Sequence, residues 1–257
     1  MKFGVCVGAE VDKAIIAKRA GFDFAESHCQ KIASLGKAEL DEFKSAGIPI
    51  LSANCFIGQK VVGPERNLDL INSYLNELFE KADYIGMRYL VFGSSGARNV
   101  PEGQSYEKTY DEIVYFLKEC VAPKAKKYGI IIAIEPLRKA ESNIINTVSE
   151  GARLAKAVDS PNVKLLADVR HMCEEGEDLS TLSSYKGLLV HAHTSNPHPP
   201  KELDKGRIFP APNDGFDQGS FLIPVAEAGV EQCAIEADCI DFETDCAKAM
   251  KVLSMYK

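Results

Sequence analysis

The chain has no Cys-x-x-Cys pair, no long apolar run and no excess of positive charge. Its eight cysteines stand apart, at 6, 29, 55, 120, 173, 233, 239 and 246, and several lie inside apolar runs. A free thiol there packs as a small hydrophobe, which argues against a disulfide framework or a zinc finger and predicts a reducing, cytoplasmic compartment. No stretch approaches the roughly 18 consecutive apolar residues of a membrane span. MKFGVCVGAE reaches Glu10 too soon to read as a secretory signal. Thirty Lys and Arg against 37 Asp and Glu leave a net charge of −7, the wrong sign for a nucleic-acid partner.

What is present is alternation. Eight strand-like runs recur, at 2–8, 22–28, 48–56, 89–95, 130–136, 163–169, 188–195 and 232–238, separated by helix-like stretches. Within 69–86, Leu70, Ile71, Tyr74, Leu75, Leu78 and Phe79 fall at helical spacing. Within 110–129, Pro123 predicts a kink or an end and Gly129 a stop. Eight βα units without a break in composition predict an α/β fold, a single (β/α)8 barrel over residues 1–257. The longest irregular segment, 196–218, is rich in Pro and Asp and follows the seventh strand on the face where barrel active sites lie.

The stretch IIIAIEPLRKAESN (130–143) organises the rest. Its apolar run suits a strand buried on both faces, and it ends in Glu135 followed by Pro136, which cannot continue a ladder. A carboxylate at such a tip needs a cation or donors, supplied either by Arg138 or Lys139 or by a bound ion. The next three strands repeat the arrangement. Because side chains alternate, Asp168, His193 and Glu236 fall near the C-terminal ends of inward-facing rows, and with Glu135 they converge on one side of the barrel. Three carboxylates without an ion repel one another. With one imidazole they suit a divalent ion such as Mn²⁺, Mg²⁺ or Co²⁺.

At these residues the sequence resembles the xylose-isomerase-like barrel superfamily, most closely the ketose 3-epimerases and related sugar-phosphate isomerases and epimerases. EPLRKAESNIINT, ADVRHMCEE, HAHTSN and AIEAD carry the resemblance. It implies that Glu135, Asp168, His193 and Glu236 are metal ligands, with Mn²⁺ foremost and Mg²⁺, Co²⁺ or Zn²⁺ as alternatives. It also implies that Glu141 and His171 contact substrate hydroxyls, and that Glu135 and Glu236 form an acid/base pair working on opposite faces of a sugar or sugar phosphate. One would remove the proton beside a carbonyl and the other return it, through an enediolate. The resemblance also implies a homodimer or homotetramer. The chain departs from the family pattern in having no tryptophan and in placing Pro199 where an Arg is expected, a role that Arg207 is positioned to take.

Other residues keep two readings. Glu26 faces either the barrel mouth or the surface; His191 is either a partner of His193 or a buried hydrogen-bonded histidine; His28 and His198 are read as solvated. Arg98, Arg138, Arg170 and Arg207, just beyond strands four to seven, serve either an anionic substrate or surface ion pairs. The competing functions are a metal-dependent lyase or dehydratase on a cyclitol or keto-sugar, an endonuclease IV-type phosphodiesterase and a non-catalytic sugar-binding barrel. Five histidines and the acidic charge oppose the phosphodiesterase.

Overall fold

A computed structural model describes residues 1–199, 201 and 206–257. Residues 200 and 202–205, part of the irregular segment 196–218, lie outside the described residues. All eight predicted strands form, six of them trimmed at one or both ends and one short of its predicted end by a single residue: β1 (Lys2–Gly8), β2 (Phe24–His28), β3 (Ile50–Asn54), β4 (Tyr89–Phe92), β5 (Ile131–Ile134), β6 (Val163–Asp168), β7 (Leu189–Thr194) and β8 (Gln232–Ile235). They pair in parallel in chain order, and β8 closes on β1. The result is the (β/α)8 barrel that the alternation predicts.

Alternation along each strand divides the core in two. Ile132, Ile134, Leu165 and Ala167 join the large apolar layer between the sheet and the helices. Val91, Ala133 and Leu166 point the other way and form a small apolar cluster of their own. Neighbouring rows there are polar: Glu26, Ser52 and His191 are fully buried.

The helices follow their caps. Asn67 Oδ1 accepts from the backbone N–H groups of Asp69 and Leu70, starting the helix Leu68–Ile85, and Gly86 ends it at φ 88°, a conformation that side-chain-bearing residues resist. Its buried stripe is Ile71, Leu75, Leu78, Phe79, Ala82 and Ile85. Leu70, expected in that stripe, is 60% exposed, because it lies one helical step outside the 3- and 4-residue spacing of the others. The helix expected over 110–129 starts earlier, at Tyr106 after the Ser105 cap, and passes through a wide π turn, Phe116–Val121, before Ala122–Tyr128. Pro123 has no N–H to give to the preceding turn, and the register widens just ahead of it. Among the described residues no helix is long and apolar enough to cross a membrane.

Candidate active site

Four side chains meet at the C-terminal end of the barrel. Glu135 stands one residue beyond β5, Asp168 ends β6, His193 lies in β7 and Glu236 follows β8. One ligand atom from each lies within 4.8 Å of all the others. His193 Nδ1 is the hub, 3.0 Å from Glu135 Oε1, 2.9 Å from Glu236 Oε2 and 3.7 Å from Asp168 Oδ2. The register Asp168↔His193 between β6 and β7 sets two of the four side by side. Asp168 Oδ1 accepts from the N–H groups of Arg170 and His171, so the residue caps the next helix while its other oxygen faces the cluster.

Arg207 closes the group from the irregular segment, with Nη1 2.7 Å from Asp168 Oδ2 and Nη2 3.0 Å from Glu236 Oε2. Its backbone accepts from Asp238, and the bridge Ile208↔Asp238 ties this part of the segment to the chain beyond β8. The cluster is therefore a place where positive charge is held. Three carboxylate oxygens and one imidazole nitrogen are also the donor set of a hard to borderline divalent ion, so these residues fit such an ion.

The two glutamates are tuned apart. Burial raises the Glu135 carboxyl, and the Glu236 charge raises it further, against the pull of His193. Burial would raise Glu236 too, but Arg207 and His193 outweigh it and hold that carboxyl well below the usual carboxylate range. Burial works against a charged His193, yet Glu26, Glu236 and Glu135 together lift it well above an ordinary histidine.

The supports come from the other half of the barrel. Asn54 Nδ2, at the end of β3, donates to Glu236 Oε1 at 2.8 Å. Arg98 is fully buried and donates to the backbone carbonyls of Phe92 and Glu135, both at 2.7 Å, joining the ends of β4 and β5. A Cβ on Gly93 would fall on the Glu135 carboxylate, so only glycine leaves room for it. Glu26 points inward, where it meets His193 Nε2 at 2.8 Å and His191 Nε2 at 2.7 Å.

The residues expected at the substrate gather here as well. His171, Glu141 and Arg207 line a cavity of about 190 Å³ with Asn54, Ser94 and Glu135. His171 is buried, with Nδ1 3.4 Å from the Arg138 N–H, and Glu141 Oε1 accepts from Arg138 Nε at 2.7 Å. Of the four arginines only Arg207 lines the cavity. Arg138 pairs with Glu141 and Glu174, Arg170 with Glu174, and Arg98 is interior. His191 is the buried, hydrogen-bonded residue of one of its two readings, and it shares Glu26 with His193. His198 is exposed, whereas His28 is half-buried and caps the helix Cys29–Ser34.

Sequence reading left Glu26 undecided and passed over Ser52 and Asn54. The available signal was polar residues two apart on β2 and β3, Glu26 with His28 and Ser52 with Asn54, in strands that are apolar apart from these and Ser27.

Residues 15–241 match the xylose isomerase-like TIM barrel family, and the chain belongs to it. A D-psicose 3-epimerase of Ruminiclostridium cellulolyticum is 38% identical over 78 residues, which cover 29% of this chain and 26% of that protein. The match thus spans about a quarter of the length of that curated relative. Among solved structures, a 3-keto-D-glucoside 4-epimerase from E. coli superposes with a TM-score of 0.82 at 19% identity, covering 99% of each chain. The IolI protein, solved with a zinc atom bound, gives 0.76 at 18% identity over 100% of this chain and 99% of that one. At such identities the structural likeness speaks for the fold.

Proposed function

We propose that the protein is an isomerase, a divalent-metal-dependent epimerase or aldose–ketose isomerase acting on a small sugar or sugar phosphate. One observation carries this reading. Two carboxylates from strands three places apart in the ring, Glu135 and Glu236, meet at a single imidazole nitrogen beside a cavity lined by further polar groups. Binding alone has no need of two opposed bases.

Glu135, Asp168, His193 and Glu236 would hold the ion, which we read as Mn²⁺, with Mg²⁺, Co²⁺ and Zn²⁺ suited to the same donors. Such an ion, when bound, polarises the substrate carbonyl and acidifies the neighbouring C–H. The work of the chain is then proton transfer and placement. One glutamate takes the proton from the carbon beside the carbonyl, and the other returns a proton to the opposite face, inverting that centre. Return to the adjacent carbon gives the aldose–ketose product. His171 and Glu141 hold substrate hydroxyls, and Arg207, the one Lys or Arg among the described lining residues, holds an electron-rich oxygen. All eight cysteines are free thiols, which supports a cytoplasmic setting.

The test is solvent exchange followed by NMR. In D₂O, with Mn²⁺ or Mg²⁺ added, a panel of ketoses and ketose phosphates is expected to take up deuterium beside the carbonyl. Exchange should fall about 10³-fold in Glu135→Gln and in Glu236→Gln, and vanish with chelator. Loss of water from the substrate would point to the lyase. Ion binding without exchange on any substrate would sink the isomerase reading.

A further inference from the structure

The interior of a (β/α)8 barrel is ordinarily filled by layers of branched apolar side chains. Here one layer contains a carboxylate. Glu26, in β2, is 0% exposed and each of its oxygens meets two donors. Oε1 takes His193 Nε2 at 2.8 Å and the Cys6 thiol at 3.4 Å; Oε2 takes His191 Nε2 at 2.7 Å and Ser52 Oγ at 2.5 Å. An ionised carboxylate offers about four lone-pair sites, so Glu26 is saturated. Its donors come from β1, β3 and β7, which fixes its position from three sides.

From this arrangement we infer that Glu26 is a positioning residue, the buried acceptor that fixes His193 so that Nδ1 faces the ligand cluster. The inference rests on the reading of His193 as a metal ligand. An acceptor-only group at Nε2 requires that this nitrogen carry a hydrogen, and in the neutral ring that leaves the Nδ1 lone pair for the cluster. Orientation of a ligating histidine through its far nitrogen typically changes metal affinity by about 10–100-fold. His191 plays the complementary part. Its Nε2 fills Glu26 Oε2, its ring lies edge-on to His193 with centroids 5.3 Å apart, and it stacks on Tyr89 at 5.9 Å. Its Nδ1 is buried without a partner, so Nε2 is where its hydrogen is used.

A different use of the same atoms is a second ion among Glu26, His191 and His193, which also lie within 4.8 Å of one another. The saturation of Glu26 by a hydroxyl, a thiol and two imidazoles speaks against it, since an ion there would have to break the hydrogen bonds that now fill all of the carboxylate's acceptor sites.

The experiment compares the full-length wild type with Glu26→Gln, using Zn²⁺ as the probe. A glutamine has one acceptor oxygen and presents N–H to the other imidazole, so one of the two rings must turn or change tautomer. Zn²⁺ affinity, measured by competition with a chromogenic chelator, is expected to fall about 10–100-fold. The His193 Nε2–H resonance of the Zn²⁺-loaded protein should lose its carboxylate hydrogen bond and move upfield. Ser52→Ala, which removes one support of Glu26 and leaves His193 untouched, should weaken binding less, and it keeps the test open if Glu26→Gln fails to fold. Unchanged affinity and an unchanged resonance in Glu26→Gln, or unchanged affinity in Ser52→Ala where only that variant folds, would overturn the inference. So would two Zn²⁺ per wild-type chain with one lost in Glu26→Gln, which would establish the second ion. Failure of the wild type to bind any divalent ion overturns both this inference and the metal reading. Binding without sugar turnover removes the isomerase and leaves the clamp.

Discussion

The two halves of the barrel divide the labour. Strands β5 to β8 present Glu135, Asp168, His193 and Glu236, one at or near each C-terminal end, and these groups meet in one cluster, from which Glu135 and Glu236 line the cavity. Strands β1 to β4 and the turn after β4 hold those groups in place: Glu26 on His193, Asn54 on Glu236, and Arg98 and Gly93 on Glu135. A ligand can be recognised by its own chemistry. A support is defined by its partner, and the partner lies on a strand distant in sequence.

The sharpest way to break this division is to damage the site from the half that carries none of the four clustered groups. Gly93→Ala puts a methyl group where the Glu135 carboxylate lies and close to Leu137, so Glu135 must leave its position. We expect activity to fall about 100-fold, as a misplacement of about 1 Å does, with ion affinity weakened as well. Solvent exchange and chelator competition measure both. Wild-type rates in this variant would mean that Glu135 works from elsewhere.

Arg98→Met tests whether the first half also supports the fold. The substitution leaves the Glu135 carbonyl without its donor in the interior and the Phe92 carbonyl with only the Glu135 N–H. Against this, burial already pushes the guanidinium down to about 10, with the Glu135 charge opposing the shift, so its removal relieves part of a desolvation cost. We expect a net loss of about 2 kcal/mol, seen as a lower midpoint in urea. A variant as stable as wild type would reduce Arg98 to a space-filler.

The finest comparison concerns His193, which touches both halves. Burial works against its charge, but Glu26, Glu236 and Glu135 lift its pKa well above the ordinary value, which favours the protonated ring when no ion is bound. Ligation through Nδ1 requires that proton to leave. Loading should therefore release about one proton per ion, and affinity should rise with pH until the raised pKa is passed. Calorimetric titration in two buffers of different ionisation enthalpy reads the count directly. Identical heats would show that no proton leaves on loading, so that His193 either is not protonated in the empty site or does not ligate.

Much of this was legible in the chain. Apolar runs alternating with helix-spaced stretches specify eight strands, because a parallel strand buried on both faces must be apolar whatever surrounds it. A carboxylate or histidine at the end of such a strand stands out, and Glu135, Asp168, His193 and Glu236 stood out for that reason. The strand ends themselves were less legible: Gly93 and Pro136 cut β4 and β5 short of the predicted limits. The inward turn of Glu26, the interior burial of Arg98 and the pairing of Arg138 and Arg170 with Glu174 belong to tertiary structure alone. Closing β8 onto β1 brings β2 within hydrogen-bond reach of β7 across the lumen, so Glu26 meets His193 across 167 residues of sequence. Local pattern tells which residues face inward; only closure of the ring decides what they face.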